Sequence, residues 1–206
     1  MGGKLHRTDR KTIAAFDFDG TITKCDTLPI FIRFISSTRH LFLGSLKMAP
    51  TLCLFMLKII SNNKAKETLF KIFFSGISID QFNTVSETFT PLLEKVVNPL
   101  AMERIKWHQE RHHQVVIISA SAENWIQPWA LKNGIDVVLA TQLEVTDQII
   151  TGKFSTENCY GSEKVCRLLK QYPNKEEYIL YAYGDSKGDK ELLELADYSY
   201  YRSFDN

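Results

Sequence analysis

The sequence lacks an excess of charge of either sign, and it is poor in cysteine. Its 25 basic residues face 24 acidic ones, so the chain has no large positive field of the kind that nucleic-acid-binding proteins use to attract phosphates. The four cysteines form no C-x-x-C pair, and no signal-peptide pattern opens the sequence. We therefore expect reduced thiols in a cytoplasmic protein that has no nucleic-acid partner.

Short apolar runs rich in β-branched and aromatic residues are present instead, and such runs are typical of strands buried on both faces. They are Ile13 to Phe16, Val115 to Ile118, Val137 to Ala140 and Tyr178 to Tyr183. Helical patterns separate several of them, for example a helix capped by Ser121 and stopped by Gly134. The alternation predicts a Rossmann-like α/β fold with a parallel sheet, in which ligands gather beyond the carboxyl ends of the strands.

One long segment breaks this alternation. Residues 25–113 have a helical pattern without a buried-strand run, which predicts a helical cap inserted into a catalytic core formed by residues 1–24 and 114–206. Within the cap, His108 and His112 have no third metal ligand nearby, so a solvated helix end is predicted rather than a metal site. Alternating polar and apolar residues around Asp147 and Gln148 predict a small hairpin.

Two aspartates, Asp17 and Asp19, follow the first apolar run in the segment AAFDFDGTIT. A carboxylate can attack phosphorus and form a covalent aspartyl-phosphate, and this role is predicted for Asp17. Asp19 lies two residues further along and points to the same side, so it can protonate the leaving oxygen and later deprotonate water. A hard dication such as Mg²⁺ would relieve the repulsion between these carboxylates and a phosphate.

The other groups that such a site needs follow later strand ends or begin helices. Asp185 comes directly after a glycine at a strand end, and Asp189 lies four residues on, so both are predicted near the metal. Ser119 can donate to a phosphate oxygen, and Lys164 can neutralise charge that develops on the phosphoryl group. Each residue alone also fits a simpler interpretation as a turn, cap or solvated side chain, and only their combination and order favour a site.

The four segments DFDGT, VVIIS, GSEKV and GDSKGD resemble, in this order, the motifs of the haloacid dehalogenase superfamily, in the branch that contains phosphoserine phosphatases. The resemblance spans Ile13 to Ser203. It implies Asp17 as nucleophile, Asp19 as acid and base, and Ser119 and Lys164 as phosphate ligands. It also implies Mg²⁺ held by Asp17, Asp185 and the Asp19 backbone carbonyl, with Asp189 as the last acid of the fourth motif and Gly20 and Thr21 in the loop that closes the first.

The function that this resemblance implies is Mg²⁺-dependent hydrolysis of a phosphomonoester through an aspartyl-phosphate, with a small phosphoserine-like metabolite as substrate. Asp26 stands where phosphoserine phosphatases have a glutamate that binds the amino acid, so it is a candidate substrate-binding residue. The cap arginine of those enzymes has no convincing match. Transfer of the phosphoryl group to an alcohol instead of water needs the same residues and stays open.

The cap contains an apolar stretch, Leu41 to Ile60, that is close to the length of about 20 residues needed to span a bilayer. Lys47, Pro50 and Lys58 interrupt it. Three alternatives are open for this stretch. It can be a helix that is buried or contacts another copy in an oligomer, it can contact the inner face of a membrane peripherally or form a cleft for a phospholipid, or it can span the membrane. Phosphatidylglycerophosphate phosphatases of the same branch look similar here and also have an aspartate at the position of Asp26. A phospholipid head-group phosphatase, or a non-catalytic membrane-surface module, is therefore the alternative function, and the oligomeric state stays open.

Overall fold

The computed structural model describes residues 10–204, so the predicted core segment of residues 1–24 begins outside the described residues. The strands are β1 (Lys11–Phe16), β2 (Gln114–Ala122), β3 (Val137–Thr141), β4 (Leu143–Thr146), β5 (Ile149–Phe154), β6 (Tyr178–Gly184) and β7 (Tyr198–Tyr201). Five of them form one parallel sheet in the order β3-β2-β1-β6-β7. The Rossmann-like α/β prediction is confirmed.

Eight α-helices accompany the strands in the described part of the chain. They are α1 (Leu28–Ile35), α2 (Thr38–Met56), α3 (Asn62–Phe74), α4 (Ile79–Val96), α5 (Pro99–Glu110), α6 (Glu123–Lys132), α7 (Ser162–Gln171) and α8 (Lys190–Leu195). The helices α2, α3 and α4 each begin after a serine, Ser37, Ser61 and Ser78, whose hydroxyl accepts an N–H of the first turn. All five helices between β1 and β2 lie where the helical pattern predicts them.

The four apolar runs all become strands, because their side chains pack on both faces of the sheet. Ala14 and Phe16 join a cluster that includes cap phenylalanines, whereas Ile13 and Ala15 pack in a second cluster on the opposite face. The sequence analysis missed β7, whose exposed tyrosines pair with β6 at the edge of the sheet.

The helices between β1 and β2 contact the rest of the molecule at three main places. The helix α5 packs on β2, α4 packs on α6, and the β4–β5 hairpin packs on α3. The hairpin prediction is confirmed, and its turn residues Asp147 and Gln148 both have positive φ angles, 50° and 63°, as a two-residue turn of the type I′ family requires. The division into a cap and a core at residues 24/25 and 113/114 stays a prediction.

Two local predictions are wrong. His108 is fully buried, since α5 turns its side chain toward the sheet, so it does not lie at a solvated helix end. Ser121 does not cap a helix either, because β2 continues to Ala122 and α6 begins at Glu123. The hydroxyl of Ser121 faces the carboxyl edge of the sheet instead.

The apolar stretch of the cap forms α2 and the turn after it, and it is largely exposed. Only Gly44 and Met48 of this helix are buried, against α3. Among residues 10–204 no helix has both the length and the apolar character that crossing a membrane requires. All four cysteines are free thiols, as predicted.

Candidate active site

The carboxyl ends of three adjacent strands bring the predicted site residues together. Strand β1 lies between β2 and β6, and Phe16 pairs with Ile117 on one side and Tyr183 on the other. Asp17, the next residue, donates its backbone N–H to the carbonyl oxygen of Tyr183 at 2.9 Å. Its side chain therefore lies between the end of β2, which carries Ser119, and the end of β6, which precedes Asp185.

Lys164, in the first turn of α7, connects two of the carboxylates. Its Nζ lies 2.5 Å from Asp17 Oδ1 and 2.5 Å from Asp189 Oδ1, and all three side chains are buried. A lysine in this position has no access to bulk water, so the carboxylates replace its hydration shell. Lys164 is therefore a fixed cation at the end of β1, not a solvated helix residue.

Burial and charge shift the pKa values of this pair. Desolvation raises the pKa of Asp17 to about 7, although Lys164 lowers it in part, and Asp189 adds to the rise. Desolvation alone would lower the pKa of Lys164, but the adjacent Asp17 and Asp189 carboxylates outweigh it and raise that pKa. A second cation at Asp17 would favour the ionised carboxylate that nucleophilic attack requires.

Asp19 has a different set of donors. Its Oδ1 accepts from the backbone N–H of Thr27 at 2.7 Å and from the Thr27 hydroxyl at 2.6 Å, and its Oδ2 accepts from the Ser121 hydroxyl. The indole Nε1 of the buried Trp125 donates in turn to Thr27 Oγ1 at 3.2 Å. The carboxylate of Asp19 is thus held in one orientation by neutral donors.

The sequence analysis missed the roles of Thr27 and Ser121. Ser121 lies two residues after Ser119 and so on the same side of an extended strand, a signal that its assignment as a helix cap obscured. Thr27 gives no comparable signal, because its contact with Asp19 depends on how the chain enters α1.

Three carboxylates form a cluster that could hold a metal ion. One side-chain oxygen from each of Asp17, Asp185 and Asp189 lies within 4.8 Å of the others. Asp185 Oδ1 is buried without a hydrogen-bond partner among residues 10–204, which is costly unless a cation binds there. The Asp189 carboxylate, in contrast, already accepts several hydrogen bonds: its Oδ2 accepts from the backbone N–H groups of Asp185 and Ser186 and from the Ser186 hydroxyl. The Asp19 side chain is not part of this cluster.

The donor set fits a hard divalent cation. Gly20 contributes by bringing the backbone close to Asp185: its φ is +83°, and a Cβ there would lie 2.5 Å from Asp185 Oδ2. Within the described part of the chain, the buried hydroxyl of the neighbouring Thr21 also has no hydrogen-bond partner. The loop that closes the first motif therefore presses against the metal cluster, and only glycine fits at its closest point.

A cavity of about 320 Å³ lies above these groups and reaches into the cap. Asp17, Asp19, Ser119 and Lys164 line it on the side of the sheet. The part of the lining that comes from the predicted cap, the cap wall, contains Asp26 and Lys66 and a larger apolar set formed by Leu28, Met48, Leu52, Phe55 and Leu69. The cavity thus joins the predicted catalytic groups to a wall that is mostly apolar but carries one acid and one base.

The two charged residues of the cap wall are held by their surroundings. Asp26 Oδ1 accepts from the backbone N–H of Leu28 at 2.9 Å, and burial together with the charge of Asp19 raises the pKa of Asp26. Lys66 Nζ donates to the Ala120 carbonyl oxygen at 2.6 Å, and burial lowers the pKa of Lys66. The sequence did not lead us to predict Lys66, which lies in the cap but outside the four motifs.

Comparisons with known proteins identify the family. A family model described as haloacid dehalogenase-like hydrolase matches residues 14–194. Protein CicA of Caulobacter vibrioides is 30% identical over 197 residues, which cover 93% of this chain and 86% of CicA. A probable phosphatase of Mycobacterium tuberculosis is 29% identical over 209 residues, 96% of this chain and 70% of that protein.

The structural comparison agrees with the sequence motifs. The crystal structure of a phosphoserine phosphatase in its apo form has a TM-score of 0.61 and 19% identity, over 92% of this chain and 85% of that one. The resemblance carried by the four motifs is confirmed. The chain belongs to the haloacid dehalogenase-like hydrolases, and its fold is that of the phosphoserine phosphatase-like branch.

Proposed function

We propose that this phosphatase hydrolyses phosphate monoesters through a covalent aspartyl-phosphate at Asp17, with Asp19 as general acid and base. The observation that carries the proposal is the pairing of two carboxylates with different partners on one cavity wall. Asp17 is buried against the Lys164 ammonium group, and Asp19 is oriented by Thr27 and Ser121. One carboxylate is thus placed to attack and the other to exchange a proton.

In the first step a carboxylate oxygen of Asp17 forms a bond to phosphorus while the bond from phosphorus to the alcohol oxygen breaks. Asp19 gives its proton to that leaving oxygen. Lys164 and the Ser119 hydroxyl bind phosphoryl oxygens, and both line the cavity beside Asp17. In the second step Asp19 takes a proton from a water molecule that attacks phosphorus, and the bond to Asp17 breaks to release phosphate.

The proposal includes Mg²⁺ as the metal. Asp17 and Asp185 would hold it together with the Asp19 backbone carbonyl, and Asp189 would orient the shell around it. The cation supplies positive charge between the carboxylates and an incoming phosphate dianion, which would otherwise repel each other.

We propose a small phosphorylated metabolite as the substrate class. Lys66 and Asp26 place a cation and an anion on the cap wall of the same cavity, which is the pairing that the carboxylate and ammonium groups of a phosphoserine-like ester would need. Lys66 would then take the part of the cap cation that the sequence analysis failed to find.

A lipid phosphate is the second candidate, and the apolar part of the cap wall favours it. Met48, Leu52 and Phe55 of α2 line the cavity and would contact an acyl or glyceryl chain rather than an amino acid. Transfer to an alcohol acceptor would use the same aspartyl-phosphate. Phosphorylated product on addition of candidate alcohols would distinguish transfer from hydrolysis.

The first test is Asp17→Asn, assayed by phosphate release from p-nitrophenyl phosphate with and without Mg²⁺. We expect the variant to lose at least about 10³-fold in kcat because the amide cannot form the aspartyl-phosphate. Asp147→Asn, an exposed change at the hairpin turn, is the matched control and should retain activity. Near-normal turnover by Asp17→Asn with an unchanged circular dichroism spectrum would refute the mechanism.

Two further variants separate the substrate classes. If the substrate is a charged metabolite, Lys66→Met should raise the KM for phosphoserine and leave the KM for phosphatidylglycerophosphate in detergent almost unchanged. Leu52→Asn should show the reverse pattern if the substrate is a lipid phosphate. If the unmodified protein released no phosphate from either substrate class and none from p-nitrophenyl phosphate, a non-catalytic module would be favoured.

A further inference from the structure

The side of α2 that faces away from the protein is apolar. Phe42, Leu46, Ala49, Cys53 and Met56, the α2 outer stripe, follow one another at intervals of three or four residues and so share one side of the helix. The buried residues Gly44 and Met48 lie on the opposite side, against α3. Phe42, Leu46 and Met56 are 70%, 65% and 81% exposed. A helix with its apolar stripe turned outward requires a partner.

The apolar stripe continues into the turn that follows α2. Leu57 and Ile59 are also exposed, although water-facing turns are usually polar. Single exposed apolar residues are common in proteins, but a continuous stripe of this length marks an interaction site.

The charges of the segment that carries the stripe all have one sign. No acidic residue occurs between Asp26 and Glu67, whereas that interval contains six basic residues. Five of them are exposed, namely Arg33, Arg39, Lys47, Lys58 and Lys64. In the part of the chain that the structure describes, none of these five forms an ion pair. The near-neutral chain thus concentrates unpaired positive charge in the segment that carries the stripe.

We infer that the α2 outer stripe docks on the surface of an anionic lipid bilayer. Apolar side chains on one side of a helix enter the boundary between head groups and acyl chains, and surrounding lysines and arginines attract anionic head groups. Both features are present here. A neutral lipid surface would satisfy the apolar stripe and leave the positive charges without partners.

A second copy of this chain fits the stripe less well. An isologous dimer through α2 would place the same patch of each copy against the other, so two acid-free regions with five exposed basic residues would approach each other. Like charges in such a contact oppose association. An anionic bilayer instead supplies the negative charge that the face lacks.

Docking in this orientation would also bring the cavity close to the bilayer. Leu52 and Phe55 line the cavity, and they are 47% and 40% exposed on the helix that carries the stripe. The docking inference does not depend on the proposed chemistry, because lipid binding is measured without turnover. Failure of one would leave the other standing.

The experiment is co-sedimentation of the full chain with vesicles of phosphatidylcholine alone and of phosphatidylcholine with about 40 mol% phosphatidylglycerol. We expect binding to the anionic vesicles, weakened when salt is raised from about 0.1 M to about 0.5 M. Phe42→Ser with Leu46→Ser should weaken binding at least about tenfold. Lys47→Gln with Lys58→Gln should weaken it about 25-fold, at about fivefold for each charge.

The matched control is Leu131→Ser, which removes an apolar side chain of 55% exposure on α6, away from the stripe. This control should bind vesicles like the unmodified protein. The α2 variants should have the same circular dichroism spectrum as the unmodified protein. No binding to anionic vesicles, equal binding to both vesicle types, or equal loss in the Leu131 control would overturn the inference. So would a dimer in solution that Phe42→Ser with Leu46→Ser dissociates, in the absence of vesicle binding.

Discussion

Removal of the buried His108 should flatten the acid side of the stability profile. The His108 ring lies between α5 and the sheet, with Nε2 2.9 Å from the Tyr183 hydroxyl and Nδ1 2.8 Å from His113 Nδ1. Arg104 Nε donates to the same Tyr183 hydroxyl at 2.7 Å. Burial lowers the pKa of His108 from 6.5 to about 3, and the nearby charges of His113, Arg104 and Arg111 add to the effect. The folded protein therefore holds this ring neutral.

The sign and size of the effect follow from this lowered pKa. In the unfolded chain His108 takes up a proton as the pH falls through 6.5, whereas the folded protein does not until the pH approaches 3. The contribution of the neutral ring is fully present above pH 6.5 and is lost as the pH falls below it. Between about pH 7.5 and about pH 5.5 the proton uptake of the unfolded chain lowers the free energy of unfolding by about 1.4 kcal/mol.

The assay is urea unfolding of the unmodified protein and of His108→Gln at these two pH values. Glutamine retains a hydrogen-bonding group but has no titrating proton, so the variant should lose less stability on acidification, by about 1.4 kcal/mol. His113, whose pKa is also lowered by burial, is present in both proteins. His112→Gln, at an exposed position, is the control and should follow the unmodified protein. Equal pH dependence in His108→Gln and the unmodified protein would refute the assignment of a buried neutral ring.

Two further predictions concern the reaction site. Gly20→Ala and Gly76→Ala both place alanine at a positive φ, so each should cost about 1–2 kcal/mol of stability. Only Gly20→Ala should also weaken Mg²⁺ binding, measured by calorimetry, because its Cβ would displace Asp185. Equal Mg²⁺ affinity in the two variants would contradict the close approach of this loop to the metal. Ser121→Ala removes one donor from Asp19 and should lower kcat about tenfold with little change in KM, measured on p-nitrophenyl phosphate. A change in KM alone would show that Ser121 binds substrate rather than orients the acid.

The sequence was sufficient for four of the five strands of the sheet and for the groups at its carboxyl edge. Strands buried on both faces must be continuously apolar, so their ends are visible in the sequence, and parallel strands bring those ends to one edge. Asp17, Ser119 and Asp185 meet there for this reason. The strand β7 was not predicted because an edge strand with exposed tyrosines lacks a continuous apolar run.

Residues whose placement depends on packing between distant elements could not be predicted. An apolar helix has the same sequence pattern whether its stripe faces inward or outward, so the sequence did not determine whether α2 is buried or exposed. The burial of His108 depends on α5 packing against a tyrosine of β6, 75 residues away. Lys66 lines the cavity because the packing of the fold brings its ammonium group to the Ala120 carbonyl oxygen of β2, 54 residues away, which spacing along one helix does not reveal.

The two aspartates after β1 face one cavity at close range, and their partners make them chemically different. Asp17 is bound by a buried ammonium group, which offsets the charge of the carboxylate that must meet a phosphate. Among the described residues, the hydrogen-bond donors to the Asp19 side chain are neutral hydroxyl and amide groups, which fix its orientation without supplying a countercharge. The distinct environments suit one carboxylate to attack and the other to proton transfer. Because Lys164 is 147 residues from Asp17, and Ser121 is 102 residues from Asp19, the fold rather than the short motif produces the difference.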